Sequence, residues 1–559
     1  MQVHLSSHWL RAIPVCLAGL AGTLCALSFL AVVEAEAQQP ADPNAGKQLI
    51  KAAERDANNF LFLPLPKPAA GENRGQFEAR KLKFRNEMLK NLRSELPLGQ
   101  AEQVMVDNYF NGFEFRVLTQ TTPEDLEELP KRRFDLFKLY VLQVKHAENH
   151  QRLIDLIMAM MQQIVMDEFH PLVRYNAMLI IGDLNEQEVQ RVGATPLPLE
   201  PYAAALPFMI ERIEDPKTPD TIRVASLIGI ARHLEWEPFR SPAKPIPAGT
   251  RTMLINSLVK LAEMKTPPAN RTAEGQLWMR RRAVECLGLA GAVQAAPNMI
   301  TPVEKILKDN TEPLQLRCIA AKALGQMNMP AGQKFDSLEL TRTLGTLAAT
   351  AIKTEFDRLE AMDKKAAEHA AVYATLGEGA GGAPGGARGY PGGGGEGFAQ
   401  RPPQIGGEGF GQPGAGDFGP DPKEYRLEPV RKRLRYQMYC VQTGLGYPLD
   451  KAGAAPENPK RRGAQRIATA PAEKKAAEEV LAAVNKLADV IEKNKIDLIQ
   501  LKTDLKAEAK ALEGVVAKNA PAPAAAPAAD PAAPAAPGQP AAAPAADDLL
   551  GGAAPGKKP

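Results

Sequence analysis

The histidines best suited to metal chemistry are His146 and His150, which lie four residues apart in the stretch KHAENH. On a helix this spacing places both imidazoles on one face, where they could hold a metal ion. The glutamate between them stands at the third position, so the H-E-x-x-H pattern of zinc proteases is not formed. We therefore expect both histidines to face solvent, and we expect no metal site.

Other motifs of enzyme chemistry are also missing from the sequence. It contains no phosphate-binding loop, no G-x-S-x-G nucleophile elbow and no cysteine with an evident basic partner. Carboxylates are plentiful, but the sequence alone does not place two of them across a cleft. The sequence thus predicts a non-catalytic protein that uses no cofactor.

The charge and the cysteines exclude further classes of protein. The 68 basic and 65 acidic residues give a formal net charge of +3, so no global field favours nucleic acid as a partner. Only Cys286, Cys318 and Cys440 follow the N-terminal apolar run, which is too few for a disulfide framework. We expect two small core residues and one loose thiol, with stability supplied by packing.

The N-terminus has the composition of an export signal. Arg11 precedes an apolar run over residues 12–33, and the small residues Ala35 and Ala37 suit cleavage before Gln38. The run could also span a bilayer as an uncleaved anchor. Both alternatives stay open, and both predict export of the remaining chain to the periplasm, the cell envelope or the extracellular space.

The composition along the chain predicts which segments fold into helices and which do not fold. Apolar residues recur at helical spacing, whereas two stretches rich in Gly or in Ala and Pro offer too little apolar surface to fold. At Asn111-Gly112 a small hairpin is an alternative to a helical N-terminal cap. We expect a signal peptide or anchor at 1–37, an extended lead-in at 38–75, a helical N-terminal cap at 76–147, helical repeats at 148–330, C-terminal capping helices at 331–376, a Gly-rich disordered linker at 377–420, a basic segment with heptad-like helices at 421–518, and an Ala/Pro-rich disordered tail at 519–559.

Four segments of the repeat region share one pattern when they are aligned on an arginine. A small residue follows the arginine after three positions, an aliphatic residue after seven and another small residue after eight, so each segment presents a closely packing helix face. The arginine lies near the helix N-terminus, where the dipole does not favour it, and so needs an acidic or carbonyl partner. The four arginines are Arg174, Arg223, Arg280 and Arg317, and the residues eight positions on are Gly182, Ala231, Gly288 and Gly325.

Each of these helices follows another apolar-periodic helix and a short turn. Asp215 and Asp309 stand in two of the turns, eight residues before Arg223 and Arg317, and prolines suit the first turn of the next helix. The unit is therefore a helix, a turn and a second helix, repeated at intervals that imply inserted loops. Self-similarity of this kind is the signature of an α-solenoid.

These residues resemble the HEAT-repeat family of armadillo-type α-solenoids, and the resemblance covers about residues 148–330. The resemblance implies an all-α fold of about four or more helical pairs with helical caps. It also implies that the turn aspartates Asp215 and Asp309, with Arg223 and Arg317, tie neighbouring repeats together. The third unit departs from the pattern because it has no aspartate eight residues before Arg280. We expect these residues to be structural.

A basic segment, residues 430–439, is the candidate contact for a polyanion. Arginine and lysine beside tyrosine can bind phosphates, and outside the cytoplasm an anionic lipid or wall polymer is the expected partner. A solvated helix face, or docking onto acidic residues of the helical body, is the alternative. The four basic residues are Arg431, Lys432, Arg433 and Arg435.

Apolar residues between 480 and 512 follow heptad spacing, with Asn494 and Glu508 in the gaps, and so form a seam for a partner helix. The seam could support coiled-coil self-association or could fold back on the body, and oligomeric state stays open. For the whole chain we expect an exported scaffold or adaptor that binds a protein or peptide on a solenoid surface. The alternative is an envelope-associated spacer that binds anionic wall or membrane through its basic C-terminal segment.

Overall fold

The structure is a computed structural model, and it describes residues 51–192, 195–241, 244–293, 295–329, 336–378, 424–446, 463–493 and 496–519. This part of the chain is mostly helical with a few short strands, as the apolar periodicity predicts. The following lie outside the described residues: the N-terminal apolar run, residues 38–50 of the lead-in, nearly all of the Gly-rich segment, the Ala/Pro-rich tail after Asn519, and Asn494.

The described chain begins with an antiparallel pair of short strands, β1 (Glu54–Arg55) and β2 (Leu61–Phe62). Leu61 also bridges Phe169, so this lead-in lies against the repeat region. The first helices are α1 (Arg74–Leu92), α2 (Gln100–Tyr109), α3 (Phe115–Val117) and α4 (Pro123–Asp135).

The Asn111-Gly112 pair lies within a helical turn, so the hairpin alternative is wrong. A π-helical turn, Phe110–Glu114, joins α2 to α3 and contains both residues. Tyr109, Phe110 and Phe115 are almost completely buried. A helix brings these rings onto one core, and their burial outweighs the turn preference of Asn-Gly.

Four helical pairs follow at the positions that the repeated pattern predicts. In three of the pairs a proline marks the start of the second helix. Pro171 occupies the first turn of its helix, whereas Pro219 and Pro313 each stand directly before the first residue of the helix that follows. The pairs are α5 (Ala147–Met166) with α6 (Pro171–Asp183), α7 (Ala205–Glu214) with α8 (Asp220–Trp236), α9 (Ala248–Glu263) with α10 (Ala273–Gly291), and α11 (Pro297–Lys308) with α12 (Leu314–Gln326).

The connection between α6 and α7 is an insertion made of four short strands. The strands β3 (Asn185–Gln187) and β6 (Glu200–Pro201) pair antiparallel, and so do β4 (Gln190–Val192) and β5 (Thr195–Leu197). The insertion accounts for part of the irregular spacing between the repeated units.

The second helices α6, α8, α10 and α12 pack in a row, each against the next. Glycine permits these approaches: a Cβ on Gly182 would stand 2.9 Å from the Cα of Gly229, and one on Gly288 would stand 2.7 Å from the Cα of Ala323. Distances this short leave no room for a side chain. The prediction that small residues bring neighbouring helices close is confirmed at these contacts.

The row of second helices does not end at α12. The remaining helices are α13 (Ser337–Glu378), α14 (Glu424–Leu445), α15 (Ala464–Ile467), α16 (Pro471–Glu492) and α17 (Leu498–Lys518). The helix α14 packs against both α12 and α13, and α16 and α17 cover α13. We expected residues 331–376 to close the helical body, but α14, α16 and α17 lie over that region instead.

The heptad positions belong to two helices, because α16 ends at Glu492 and α17 begins at Leu498. Both pack against each other and against α13, which is the fold-back alternative. Self-association through this seam would require the helices to leave the body. The fully buried heptad side chains are Val480, Val484, Leu487, Ile491, Leu501, Leu505 and Leu512.

Candidate functional site

Each of the four aligned arginines donates to the same kind of acceptor. This acceptor is a main-chain carbonyl at the end of the first helix of the arginine's own pair. Cations are favoured there because the last carbonyls of a helix have no partner within it and carry the negative end of the dipole. The need for an acidic or carbonyl partner is thus met locally. The contacts are Arg174 Nε to Val165 O at 2.9 Å, Arg223 Nη2 to Asp215 O at 2.8 Å, Arg280 Nε to Ala262 O at 2.8 Å, and Arg317 Nε to Leu307 O at 3.0 Å.

Asp215 and Asp309 each stabilise the turn in which they lie by accepting a hydrogen bond from its main chain. Asp215 accepts the Lys217 main-chain N–H at 2.9 Å, and Asp309 accepts that of Thr311 at 2.9 Å. These donors hold the pKa of Asp215 below its usual range; for Asp309 the Lys265 ammonium at 2.8 Å is the largest cause of the lowering, ahead of Thr311. Of Asp215, Arg223, Asp309 and Arg317, only Asp309 makes the tie to a neighbouring pair that the resemblance implied.

The other ties between consecutive pairs need at least one partner from outside the aligned pattern. Arg280 donates two hydrogen bonds of 2.8 Å to Glu312, which lies in the turn between the two helices of the next pair, and both side chains are buried. Arg271 makes two bonds, of 2.6 and 2.8 Å, to Asp220 of the preceding pair. No spacing rule in the sequence singles out Glu312 or Arg271, because their partners lie in another unit.

Three of the four basic residues of the basic segment have internal partners. Arg433 binds Glu355 on α13 at 2.7 Å, Arg435 binds Glu492 on α16 at 2.7 Å, and Arg431 donates to the Lys493 carbonyl. Burial acts to raise the pKa of Glu355, but Arg433 and Arg358 outweigh it and hold that pKa below its usual range. Docking onto acidic residues of the body is therefore the arrangement found for Arg433.

Lys432 differs from its neighbours because it is exposed and forms no ion pair within the described chain. It lines a cleft of about 890 Å³ where α10, α12 and α14 meet. We call this cavity the α14 cleft. Its lining also includes Arg281 of α10, Gln315 of α12, and Arg435, Tyr436 and Gln437 of α14.

Two residues that line the α14 cleft each carry a buried polar atom without a hydrogen-bond partner in the described chain. Arg281 donates from Nη1 to Gln315 Oε1 at 2.8 Å, but its Nε is buried without a partner in the structure. The Oε1 atom of Gln437 is also buried without a partner, and the residue is only 9% exposed. Glu428 is the one carboxylate among the residues that line the cleft, and it lies 3.5 Å from Arg435. Both unsatisfied atoms are shielded from solvent, so the charged group that the cleft presents openly to a ligand is the exposed ammonium of Lys432.

The histidine pair is arranged differently from the expectation. His150 is buried on α5, and burial lowers its pKa, while His146 directly precedes the helix. The expectation that both face solvent is wrong for His150, since this side of α5 packs on the core. Among the described residues no group of three or more His, Cys, Asp and Glu side chains could hold a metal ion.

The three cysteines are all buried and unpaired. Burial raises the pKa of Cys286 to about 12, and that of Cys440 to about 12. The expectation of one loose thiol is wrong, because Cys440 lies on the face of α14 that packs against the body. The neutral thiol is the stable form at each site, and a neutral thiol is a poor nucleophile.

Within the described ranges, no helix combines the length and the apolar character needed to cross a bilayer. Comparison of the chain with protein-family models, with curated proteins and with solved structures finds no match.

Proposed function

We propose that this chain is a non-catalytic exported scaffold, which binds a protein or peptide on the surface of an α-solenoid of the HEAT type. Support for the solenoid comes from the four helical pairs, from the row of second helices and from the arginine that joins the two helices of each pair. Such arrays present extended surfaces suited to polypeptide partners. Export rests on Arg11 and the apolar run at residues 12–33.

The observation that carries the binding proposal is the α14 cleft. It is open to solvent, it lies where three successive second helices meet, and it presents Lys432 without a counter-ion in the described chain. Clefts that combine apolar side chains with a few polar groups are where proteins commonly bind ligands.

The alternative is a spacer that binds anionic wall or membrane through the basic segment. Little of the positive charge of this segment is free to contact such a surface. Arg431, Arg433 and Arg435 already contact carboxylates or a carbonyl, so one exposed cation is left. A single lysine contributes only about 1 kcal/mol to binding an anionic surface. We therefore favour a shaped site over a charged surface.

Crosslinking capture from native envelope extract tests the proposal with residues 38–559. A shorter chain ending at residue 376 is unsuitable, because α14, α16 and α17 cover α13. Three baits are compared: the unchanged chain, Lys432→Glu and Lys353→Glu. Lys353 is an exposed lysine of α13 with no ion pair in the described chain, so it matches the charge change away from the cleft.

We expect one protein to be captured by the unchanged chain and by Lys353→Glu, and to be lost with Lys432→Glu. Capture of the same protein by all three baits would place binding elsewhere on the helical surface. Recovery of only lipid or wall polymer, lost equally in raised salt by all three baits, would contradict the scaffold proposal and favour the spacer.

A further inference from the structure

We propose that a segment of the same chain, residues 402–422, binds in the α14 cleft. This inference rests on the proposed scaffold function, because it states how that binding site is regulated: a protein partner has to displace the segment from the cleft. The segment has the sequence PPQIGGEGFGQPGAGDFGPDP, it comes just before α14 in the chain, and it lies outside the described residues.

The charge of the segment is complementary to that of the cleft. The segment contains three carboxylates and no lysine, arginine or histidine. In the cleft, Lys432 is exposed and Arg281 is half-buried, and neither forms an ion pair within the described chain. The other two cations of the lining pair with carboxylates of α13 and α16, and Glu428, the carboxylate of the lining, lies 3.5 Å from Arg435. An unpaired cation favours a carboxylate as its partner. The carboxylates of the segment are Glu408, Asp417 and Asp421.

The aromatic residues of the segment match the apolar part of the cleft. Each of its two phenylalanines stands within two residues of a carboxylate, in EGF (408–410) and in DF (417–418). In the cleft, Pro429 and Tyr436 lie one helical turn before and after Lys432, and Tyr436 is 41% exposed. A ring next to a carboxylate can therefore pack on the tyrosine or the proline while the carboxylate contacts the lysine.

The covalent connection to α14 favours this segment over other anions, which opposite charge alone would not do. Phe410 stands 14 residues before Glu424, where α14 begins, and a chain of that length can span up to about 50 Å. The part of α14 that lines the cleft runs from Glu428 to Gln437, a rise of only about 14 Å. A ligand joined so closely to its site has an effective concentration of roughly millimolar order. A separate anion of similar affinity would need that concentration to compete.

Acylation of Lys432 in residues 38–559 tests the inference without an external ligand. A limiting amount of an N-hydroxysuccinimide ester is added to the native protein, and the modified lysines are quantified by mass spectrometry. The segment variant removes the three carboxylates of the segment, and the tail variant removes three carboxylates of the Ala/Pro-rich tail as a matched control. The segment variant is Glu408→Gln, Asp417→Asn and Asp421→Asn, and the tail variant is Asp530→Asn, Asp547→Asn and Asp548→Asn.

We expect Lys432 to be acylated several-fold more slowly in the unchanged chain and in the tail variant than in the segment variant, because the bound segment shields the amine. Lys353, an exposed lysine of α13, should react equally in all three proteins and serves as the internal reference. Capture of the protein partner from envelope extract should increase with the segment variant, because the partner then has no competitor.

A zero-length carbodiimide crosslink provides an independent measurement, because it joins a carboxylate to an amine only where the two groups meet. Without binding, Glu408 should react more often with Lys423 than with Lys432, since the cost of closing a loop rises with its length. We expect Lys432 to be the main partner of Glu408, to the same extent at low and at high protein concentration.

Equal acylation of Lys432 in the unchanged chain and in the segment variant would overturn the inference. So would crosslinks of Glu408 mainly to Lys423, shielding of Lys432 that grows with protein concentration and so comes from a second copy, or capture that does not increase with the segment variant. The scaffold proposal stands in each case if capture of a protein still depends on Lys432. Shielding of Lys432 together with failed capture would leave the segment in the cleft and contradict the scaffold proposal.

Discussion

Gly325 of α12 lies directly against the main-chain carbonyl of Thr443 in α14, so that a Cβ at position 325 would overlap this carbonyl. The same type of contact joins Gly182 to Gly229 and Gly288 to Ala323 in the preceding second helices. The helix α14 therefore takes the place of the next second helix in the row. The Gly-rich segment lies in the sequence between α13 and α14, which pack together in the fold.

Substitution of Gly325 by alanine should destabilise the protein. The new methyl group meets main-chain atoms that cannot move away cheaply, and overpacking of this kind costs about 1–3 kcal/mol. Gly514→Ala is the matched control, because Gly514 lies in α17 with nothing within 4 Å of a Cβ. The control should stabilise its helix by about 0.5–1 kcal/mol. Urea unfolding measures both, and equal stability of the two variants would contradict this packing.

The helices after the Gly-rich segment should associate with the body even when the chain is interrupted. Residues 38–378 and 424–559, produced together as separate chains, are expected to co-elute in size-exclusion chromatography. Buried side chains of α14, including Val430 and Leu434, supply about 1.5–3 kcal/mol each. Leu434→Asp should abolish the association. Separate elution of the two unsubstituted fragments would show that α14 does not belong to the row.

The buried pair Arg280–Glu312 should be strongly coupled. Glu312→Leu leaves the Arg280 charge buried without a carboxylate and should cost about 3–5 kcal/mol. Arg280→Met should cost less, because Glu312 keeps Lys265 at 2.9 Å. The double variant should be less destabilised than the sum of the two, although the Ala262 carbonyl also loses its donor. A double-mutant cycle of unfolding free energies measures the coupling. Simple additivity would mean that the pair does not form.

Buried His233 should make stability depend on pH. The side chain is fully buried, and neither ring nitrogen has a partner among the described residues. Burial, aided by Arg240 and Arg232, lowers its pKa well below the usual 6.5. The unfolded state therefore takes up the proton first, and stability that is present above about pH 6.5 is lost as the pH falls.

His233→Leu removes this contribution to the pH dependence. Between about pH 6.5 and 5, the free energy of unfolding of the unchanged protein should fall faster than that of the variant, by up to about 1.4 kcal/mol per pH unit. Urea unfolding at several pH values measures both slopes. Parallel slopes would indicate that His233 is already protonated, or solvated, in the folded protein.

The thiols of residues 38–559 should be unreactive until the protein unfolds. Because burial raises the pKa of Cys286 and Cys440, the reactive thiolate is scarce and shielded. A disulfide reagent with a coloured leaving group should modify no thiol in the native protein and all three in urea. Rapid modification of one cysteine in the native state would mean that the helix carrying it opens readily.

Much of the helical structure could be predicted from the sequence because it follows from local patterns. Apolar spacing marks each buried face, and Pro171, Pro219 and Pro313 mark where second helices start. The aligned arginines were also predictable as structural residues that need a nearby partner, since that partner lies one turn away in the same pair. The Asn-Gly pair at 111–112 suggested a hairpin that does not form. Burial of the neighbouring aromatic rings favours a helix there, and this burial depends on the rest of the core.

The α14 cleft could not be predicted in this way. Its basic residues were visible as a cluster, but Arg281 and Gln315 belong to other helices. The sequence also does not show that Arg433 pairs with Glu355, 78 residues away. Nor does it show that the neighbouring Lys432 forms no ion pair within the described chain. Which cation remains available depends on which side of α14 faces the body.

The sequence by itself determined the helices, their order and the residues that close each turn, because these depend on hydrogen bonds and burial within a few turns of the chain. Only the tertiary structure decided that α14 continues the row of second helices, that Glu312 pairs with Arg280, and that the α14 cleft forms. Such contacts join distant parts of the chain. Their selection depends on the packing of whole helix faces, which no local spacing encodes.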